Sequence, residues 1–98
     1  MEVYNNVKTG ELQGSATALQ MPDIPCRLCC FKASYDNVGR VYLGSSAAVT
    51  LAAGTTTTTG GLQLAAGEQT LWFEVSNLNL FWRICDNAGD DLTYITQG

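Results

Sequence analysis

The chain has 98 residues, enough for one domain with a modest core. Charged residues make up 14% of it and hydrophobic residues 46%, whereas about 25% charge is usual for a soluble domain. A weakly charged, mildly apolar surface is typical of patches that become buried against a partner. The composition therefore favours a protein that binds other protein surfaces; the alternative is a β-protein that is merely poor in charge.

The charge distribution excludes several partners. The net charge is −4, and no two of the five basic residues are adjacent, so the clustered cations that phosphate binding needs are absent from the sequence. The first residues lack the basic and apolar regions of a signal peptide, and Gly, Ser and Thr interrupt the uncharged stretch 41–67 too often for a membrane span. We therefore expect synthesis in a reducing cytoplasm, with neither nucleic acid nor membrane as a partner.

Short extended segments separated by turn residues follow one another along the chain. Residues 1–15 predict a loosely structured, extended N-terminal arm with one short extended piece, and residues 16–98 predict a β-sandwich domain. Strands are expected at residues 16–21, 26–33, 40–44, 47–52, 69–75, 80–85 and 92–95. Residues 54–61, with five consecutive threonines, suit a flexible stretch or an edge strand. Because no helical periodicity is sustained, we expect an all-β fold, a small antiparallel, jelly-roll-like sandwich of about seven to nine short strands.

Turn chemistry marks the ends of these strands. Gly39 and Gly44 bracket a short strand where turns need a positive φ, and Glu68 follows Ala-Gly in a tight turn where its carboxylate caps backbone amides. Asn77 and Asn79 are expected to close a bend with their side chains.

The four cysteines include a C-x-x-C at residues 26–29, which is the spacing of a zinc site or a redox pair. On a strand, however, successive side chains face opposite ways, so Cys26 and Cys30 are expected on one face and Cys29 on the other. A zinc knuckle needs both thiolates on one side of a turn, and the chain has no histidine to complete a mixed site. The pattern favours cysteines packed in the core, over a metal site or a late disulfide.

Few residues offer catalytic chemistry. Without histidine there is no imidazole base, and no activator is visible beside Cys29 or Cys30, so we expect no enzyme activity and no cofactor. Oxygen ligands in the loop 86–91 leave calcium as an alternative, although their spacing is that of ordinary turn residues. No metal ligand is therefore assigned.

Adjacent aromatic residues indicate where a partner would bind. In the pairs 72–73 and 81–82, one side chain should face the core and the other should face outward. An outward tryptophan is a good anchor for an interface. The expected partner contacts are Trp72 and Trp82, together with Val3 and Tyr4 of the N-terminal arm, which has the extended character needed to add a strand to a neighbouring sheet.

An ordered set of turn motifs resembles a group of small virion proteins of tailed phages. The motifs are F-K-A at residues 31–33, N-V-G-R-V-Y-L-G at 37–44, G-L-Q-L-A-A-G-E at 61–68, N-L-N at 77–79 and D-D-L-T-Y at 90–94. The resemblance spans residues 26–95, whereas residues 45–60 depart from the pattern and residues 1–15 match no part of it. It implies a capsid cement or decoration protein, or a small tail or fibre component, without choosing between them.

Two hypotheses follow from this resemblance. The first is a trimeric cement protein in the virion that binds the major capsid protein on the outer surface of the head, where many weak repeated contacts add up. The second is a tail or fibre component, a β-sandwich that recognises a receptor or carbohydrate through exposed aromatic residues.

Overall fold

The computed structural model describes residues 6–51 and 59–98, and within these ranges it contains two four-stranded antiparallel sheets and no α-helix. A 3-10 helix (Leu78–Leu80) precedes the seventh strand. The strands are β1 (Val7–Gln13), β2 (Leu19–Gln20), β3 (Leu28–Ala33), β4 (Val41–Gly44), β5 (Leu62–Leu64), β6 (Phe73–Glu74), β7 (Trp82–Cys85) and β8 (Asp91–Gln97). The predicted all-β sandwich is confirmed.

The strands pair in a nested order. Strand β1 pairs with β8, β2 with β7, β3 with β6 and β4 with β5, all antiparallel. The first sheet has the order β1-β8-β3-β6 and the second the order β2-β7-β4-β5. Strands β5 and β6 are therefore edge strands of different sheets. The finer expectation, a jelly roll, stays a prediction.

The core lies between the two sheets. In the first sheet, Leu12, Leu92 and Ala33 stand side by side on β1, β8 and β3, because Leu92 is in register with both neighbours. Phe31 is fully buried and contacts the Phe81 ring edge-on, with centroids 5.1 Å apart. Such apolar burial contributes about 25 cal/mol per Å², which makes this layer the main source of stability.

The extended piece expected within residues 1–15 is a full strand of the sandwich. Strand β1 pairs with β8 over its whole length, from Val7 opposite Gln97 to Gln13 opposite Asp91. One side of the backbone of residues 7–13 is therefore hydrogen-bonded to β8, and these residues are part of the domain rather than of an arm. Of the remainder of that arm, residues 1–5 lie outside the described residues.

Several expected strands are shorter in the structure. Residues 47–51 form no strand, and Thr50 makes only a single bridge with Gly60. The expectations for Ala52 and for residues 54–58 lie outside the described residues. The segment 69–75 keeps only β6, because a bulge interrupts it, and the segment 80–85 begins with the end of the 3-10 helix.

The prediction of positive φ at Gly39 and Gly44 is wrong, because among the described residues only Gly67 and Gly98 have positive φ. Gly39 instead allows close approach: a Cβ there would lie 2.6 Å from the Cβ of Asp86. At Gly67 the φ of +81° is the left-handed conformation that glycine adopts without strain.

Replacing Gly14 by alanine should destabilise the sandwich by about 1–3 kcal/mol, since a new methyl group would overlap the Asp90 carbonyl oxygen and lie 2.9 Å from the Cys85 sulfur. Gly89→Ala is the matched control, because nothing lies within 4 Å of a Cβ there, and we expect a change within about 0.5 kcal/mol. Urea unfolding of both variants measures the difference. Equal stabilities would contradict the packing at Gly14.

Candidate interaction surfaces

A β-bulge interrupts the edge of the first sheet just before β6. On one side of it the Thr70 N–H donates to the Phe31 carbonyl oxygen (2.8 Å), and on the other Phe73 pairs with Cys29. Residues 71–72 thus face a single residue of β3, which is the two-against-one arrangement of a bulge. Bulges at sheet edges re-aim side chains and limit edge pairing.

The bulge presents two large apolar side chains to solvent. Leu71 is 86% exposed and Trp72 is 45% exposed, whereas the neighbouring Phe73 packs against the core. The alternation expected for the aromatic pair at residues 72–73 is therefore observed. Trp72, predicted as a partner contact, lies where a partner can reach it.

An apolar groove of about 340 Å³ is lined by residues of both β5 and β6. Leu62 of β5 and Phe73 of β6 line it together with Leu80 and Phe81, and no charged side chain contributes to its lining. Leu62 and Leu80 remain 55% and 52% exposed. We define the open edge as Leu62 and Leu80 at this groove, together with Leu71 and Trp72, which directly precede the groove residue Phe73 in the chain.

A bend closed by Asn77 holds one side of this groove in place. Its Oδ1 accepts hydrogen bonds from the N–H groups of Ile24 (3.1 Å) and Asn79 (2.9 Å), and its amide nitrogen donates to Asp23 (2.7 Å). The bend predicted for Asn77 is confirmed. It fixes the 3-10 helix and with it Leu80 at the mouth of the groove. Asn79 contributes backbone groups, one of which accepts a hydrogen bond from Gln20.

Trp82, the other predicted contact, lies on the outer face of the second sheet. There Tyr42, Val49 and Ile84 form a small buried cluster, and Trp82 packs against it while partly exposed. Its neighbour Phe81 packs against the main core, so this pair also follows the expected alternation. The structure places Trp82 in a different cluster from Trp72. Val3 and Tyr4 lie outside the described residues.

Hydrogen bonds from side chains fix the connection between β3 and β4. The carboxylate of Asp90, only 2% exposed, accepts the N–H groups of Val38 (2.9 Å) and Gly39 (3.0 Å). Asn37 makes a reciprocal pair with Asp91, donating to its carbonyl oxygen and accepting from its N–H, both at 2.8 Å. The loop after β7 therefore holds the turn after β3.

These hydrogen bonds occupy the carboxylates of loop 86–91, for which the sequence left calcium binding as an alternative. Both Asp90 oxygens face backbone N–H donors, and Asp86 accepts the N–H of Arg40 (2.9 Å). Across residues 6–51 and 59–98 no cluster of three or more His, Cys, Asp or Glu is arranged to hold a metal ion. The geometry supports a structural role, in which the Asp90 carboxylate holds the backbone of Val38 and Gly39; we call this contact the Asp90 clamp. This role of Asp90 has no local signal in the sequence, because its partners lie more than 50 positions away.

Glu68 acts as predicted. Its Oε1 accepts the Ala65 N–H (2.7 Å), and its own N–H donates to the Ala65 carbonyl oxygen (3.0 Å), so the turn before the bulge is closed from both ends. The left-handed Gly67 at the centre of this turn lies against Tyr35.

All four cysteines are buried and free. The prediction that Cys26 shares a face with Cys30 is wrong: Cys26 packs in the same core cluster as Cys29. The strand begins only at Leu28, and the bend at residue 27 breaks the alternation on which the prediction depended. Burial raises the pKa of the Cys29 thiol to about 12, with smaller contributions from Cys26 and Cys30. A raised pKa keeps the thiol protonated and unreactive.

Comparisons with known proteins give no relatives. The chain matches no family model, no curated protein and no solved structure. In the part of the chain that the structure describes, no helix has the length and hydrophobicity that a membrane span requires.

Replacing Asp90 by asparagine should lower the free energy of unfolding by about 1–3 kcal/mol, because the amide keeps one acceptor oxygen and turns donor hydrogens toward the N–H group of either Val38 or Gly39. Asp36→Asn removes the same charge from an exposed position and is expected to change stability by less than about 0.5 kcal/mol. Urea unfolding at neutral pH distinguishes them. A neutral effect at Asp90 would contradict the clamp.

The buried thiols predict a loss of stability at alkaline pH. Unfolded thiols ionise near the ordinary pKa of 9.0, whereas Cys29 keeps its proton to about 12, so the unfolded state is favoured as pH rises between these values. The loss attributable to one such thiol approaches about 1.4 kcal/mol per pH unit. Urea unfolding from about pH 8 to about pH 10.5 measures it. Cys29→Ala should show a smaller slope than the native chain; an identical slope would contradict the assignment.

Proposed function

We propose that this protein is a structural component of a tailed-phage particle, a trimeric cement or decoration protein that binds the outer surface of the capsid and stabilises the head. The observation that carries the proposal is the open edge. Leu62 and Leu80 are 55% and 52% exposed at a groove without charged lining, and Leu71 and Trp72, which directly precede the groove residue Phe73, are 86% and 45% exposed. Clustered apolar exposure of this kind marks a surface for a protein partner.

The fold supports the same proposal. The nested pairing of β1 with β8 through β4 with β5 has the order of one long hairpin rolled into two sheets, and we interpret it as a jelly roll, an architecture that capsid proteins use. The motifs that resemble phage virion proteins lie in this framework at turns. In the 37–44 and 90–94 segments they supply the Asp90 clamp, and in the 61–68 segment they supply the Glu68 turn.

The open edge suits repeated, modest contacts. Leu71 and Trp72 protrude from a bulge rather than from a long flat strand, so side chains rather than backbone pairing would make the contact. A trimer on a capsid lattice would present three such edges together, and multivalency strengthens binding without new contacts.

The alternative is a tail or fibre component that binds a receptor or carbohydrate. The exposed ring of Trp72 is the observation that favours it, since an aromatic face can stack on a sugar. The other exposed side chains of the open edge, among them Leu71 and Leu80, offer no hydrogen bond to a hydroxyl-rich ligand, so this set of residues fits a protein better.

Co-sedimentation with capsids tests the proposal. Capsids assembled without this protein, from a phage that encodes it, should bind the native chain, and the double substitution Leu71→Ser with Trp72→Ser should weaken binding by about tenfold or more. Val7→Ser is the control, because Val7 is 58% exposed on β1, on the other edge of the first sheet, and should bind as the native chain does.

Circular dichroism and urea unfolding establish that both variants are folded before binding is compared. Binding to tails or to host-surface polysaccharide, with none to capsids, would replace the cement hypothesis by the alternative. Equal binding of the double variant would show that the open edge is not the contact.

A further inference from the structure

Three segments meet at one end of the sandwich, away from the groove: residues 34–40, 65–69 and 86–91. We call this end the acidic tip. The turn at residues 34–40 carries Val38, which is 91% exposed, and Tyr35, which is 85% exposed. They are two of the three most exposed large hydrophobic side chains in the described residues. Single exposed hydrophobics are common, but two on one turn form a potential anchor.

The turn that bears them is held rigidly. The buried Asp90 carboxylate binds the N–H groups of Val38 and Gly39, and Asn37 is bonded to Asp91 in both directions. Close approach of Gly39 to Asp86 packs the turn against the neighbouring loop. Anchors on a fixed turn lose little conformational entropy on binding, so their apolar surface is more fully converted into affinity.

The acidic tip also holds the net charge of the protein. Five of the nine acidic residues lie in its three segments, with Arg40 as their one basic residue; the five are Asp36, Glu68, Asp86, Asp90 and Asp91. This imbalance equals the formal net charge of −4, and acidic and basic residues balance over the rest of the chain. A concentrated field of one sign steers a partner of the opposite sign.

We propose that the acidic tip binds a cationic protein surface that contains an apolar cavity for Val38 and Tyr35. Phosphate groups and anionic lipid headgroups would be repelled by the charge. A neutral sugar would gain nothing from the charge or from the valine. The matching surface therefore has an apolar centre and a rim of Arg or Lys, the usual plan of a protein interface. This contact is separate from the open edge and does not depend on the capsid assignment.

A defined peptide tests this inference without any phage component. The probe is a capped peptide of about eight residues that alternates arginine and leucine, added to the full-length, isotope-labelled chain. Amide chemical shifts should change in residues 34–40, 65–69 and 86–91. Affinity should fall about tenfold between about 50 mM and about 300 mM NaCl, because screening weakens the charged rim.

Matched variants and peptides separate anchoring from charge. Val38→Ser leaves the charge unchanged and should weaken binding by about fivefold or more, whereas Val7→Ser should not alter it. A peptide with serine in place of leucine, and one with glutamine in place of arginine, should each bind more weakly than the probe. The amide spectrum itself reports whether each variant is folded.

Shift changes centred on the open edge, or equal affinity for the native chain and Val38→Ser, would overturn the inference. The absence of binding at the lower salt concentration would do the same. Because the assay contains no capsid, its outcome is independent of the co-sedimentation result, and either proposal can fail alone.

Discussion

Every strand pair in the described residues joins one of strands β1–β4 to one of strands β5–β8. The core therefore forms only when the two halves of the chain come together. Leu92 makes this dependence concrete, because it is buried between Leu12 and Ala33, from the first and third strands. Such non-local pairing must overcome the entropy cost of loop closure before its contacts form. It also makes the stability of each sheet depend on the other.

The loops between the strands are also held by hydrogen bonds between residues that are distant in sequence. Asp90 fixes the turn after β3, and Asn77 joins the bend before β7 to the segment before β3. Each side chain satisfies backbone N–H groups that belong to a different loop, so the two ends of the sandwich are held by side chains rather than by tight local hairpins. This leaves the exposed residues of these loops in defined positions, which is a requirement for preorganised contacts.

The two proposed surfaces differ in their chemistry. The open edge is apolar with an uncharged groove, so its contacts would depend on burial and shape, and salt would affect them little. The acidic tip combines two apolar anchors with the net charge of the chain, so its contacts would depend strongly on salt. If both proposed contacts form, the protein would be able to bridge two unlike neighbours.

The sequence by itself determined the fold class, because alternating short segments and turn residues exclude helices and leave a sandwich. It also determined the local turns, since Glu68 and Asn77 bind neighbours two or three positions away. Only the tertiary structure decided where the strands begin and end, because β1 is ordered by its pairing with β8 and the bulge arises from a mismatch with β3. It also decided that Cys26 packs with Cys29 rather than facing the same way as Cys30, because the chain bends at residue 27. The acidic tip and the open edge were likewise beyond local inference. The tip joins residues 38–39 to residue 90, and the groove joins Leu43 to Leu80, so each depends on residues that are distant in sequence.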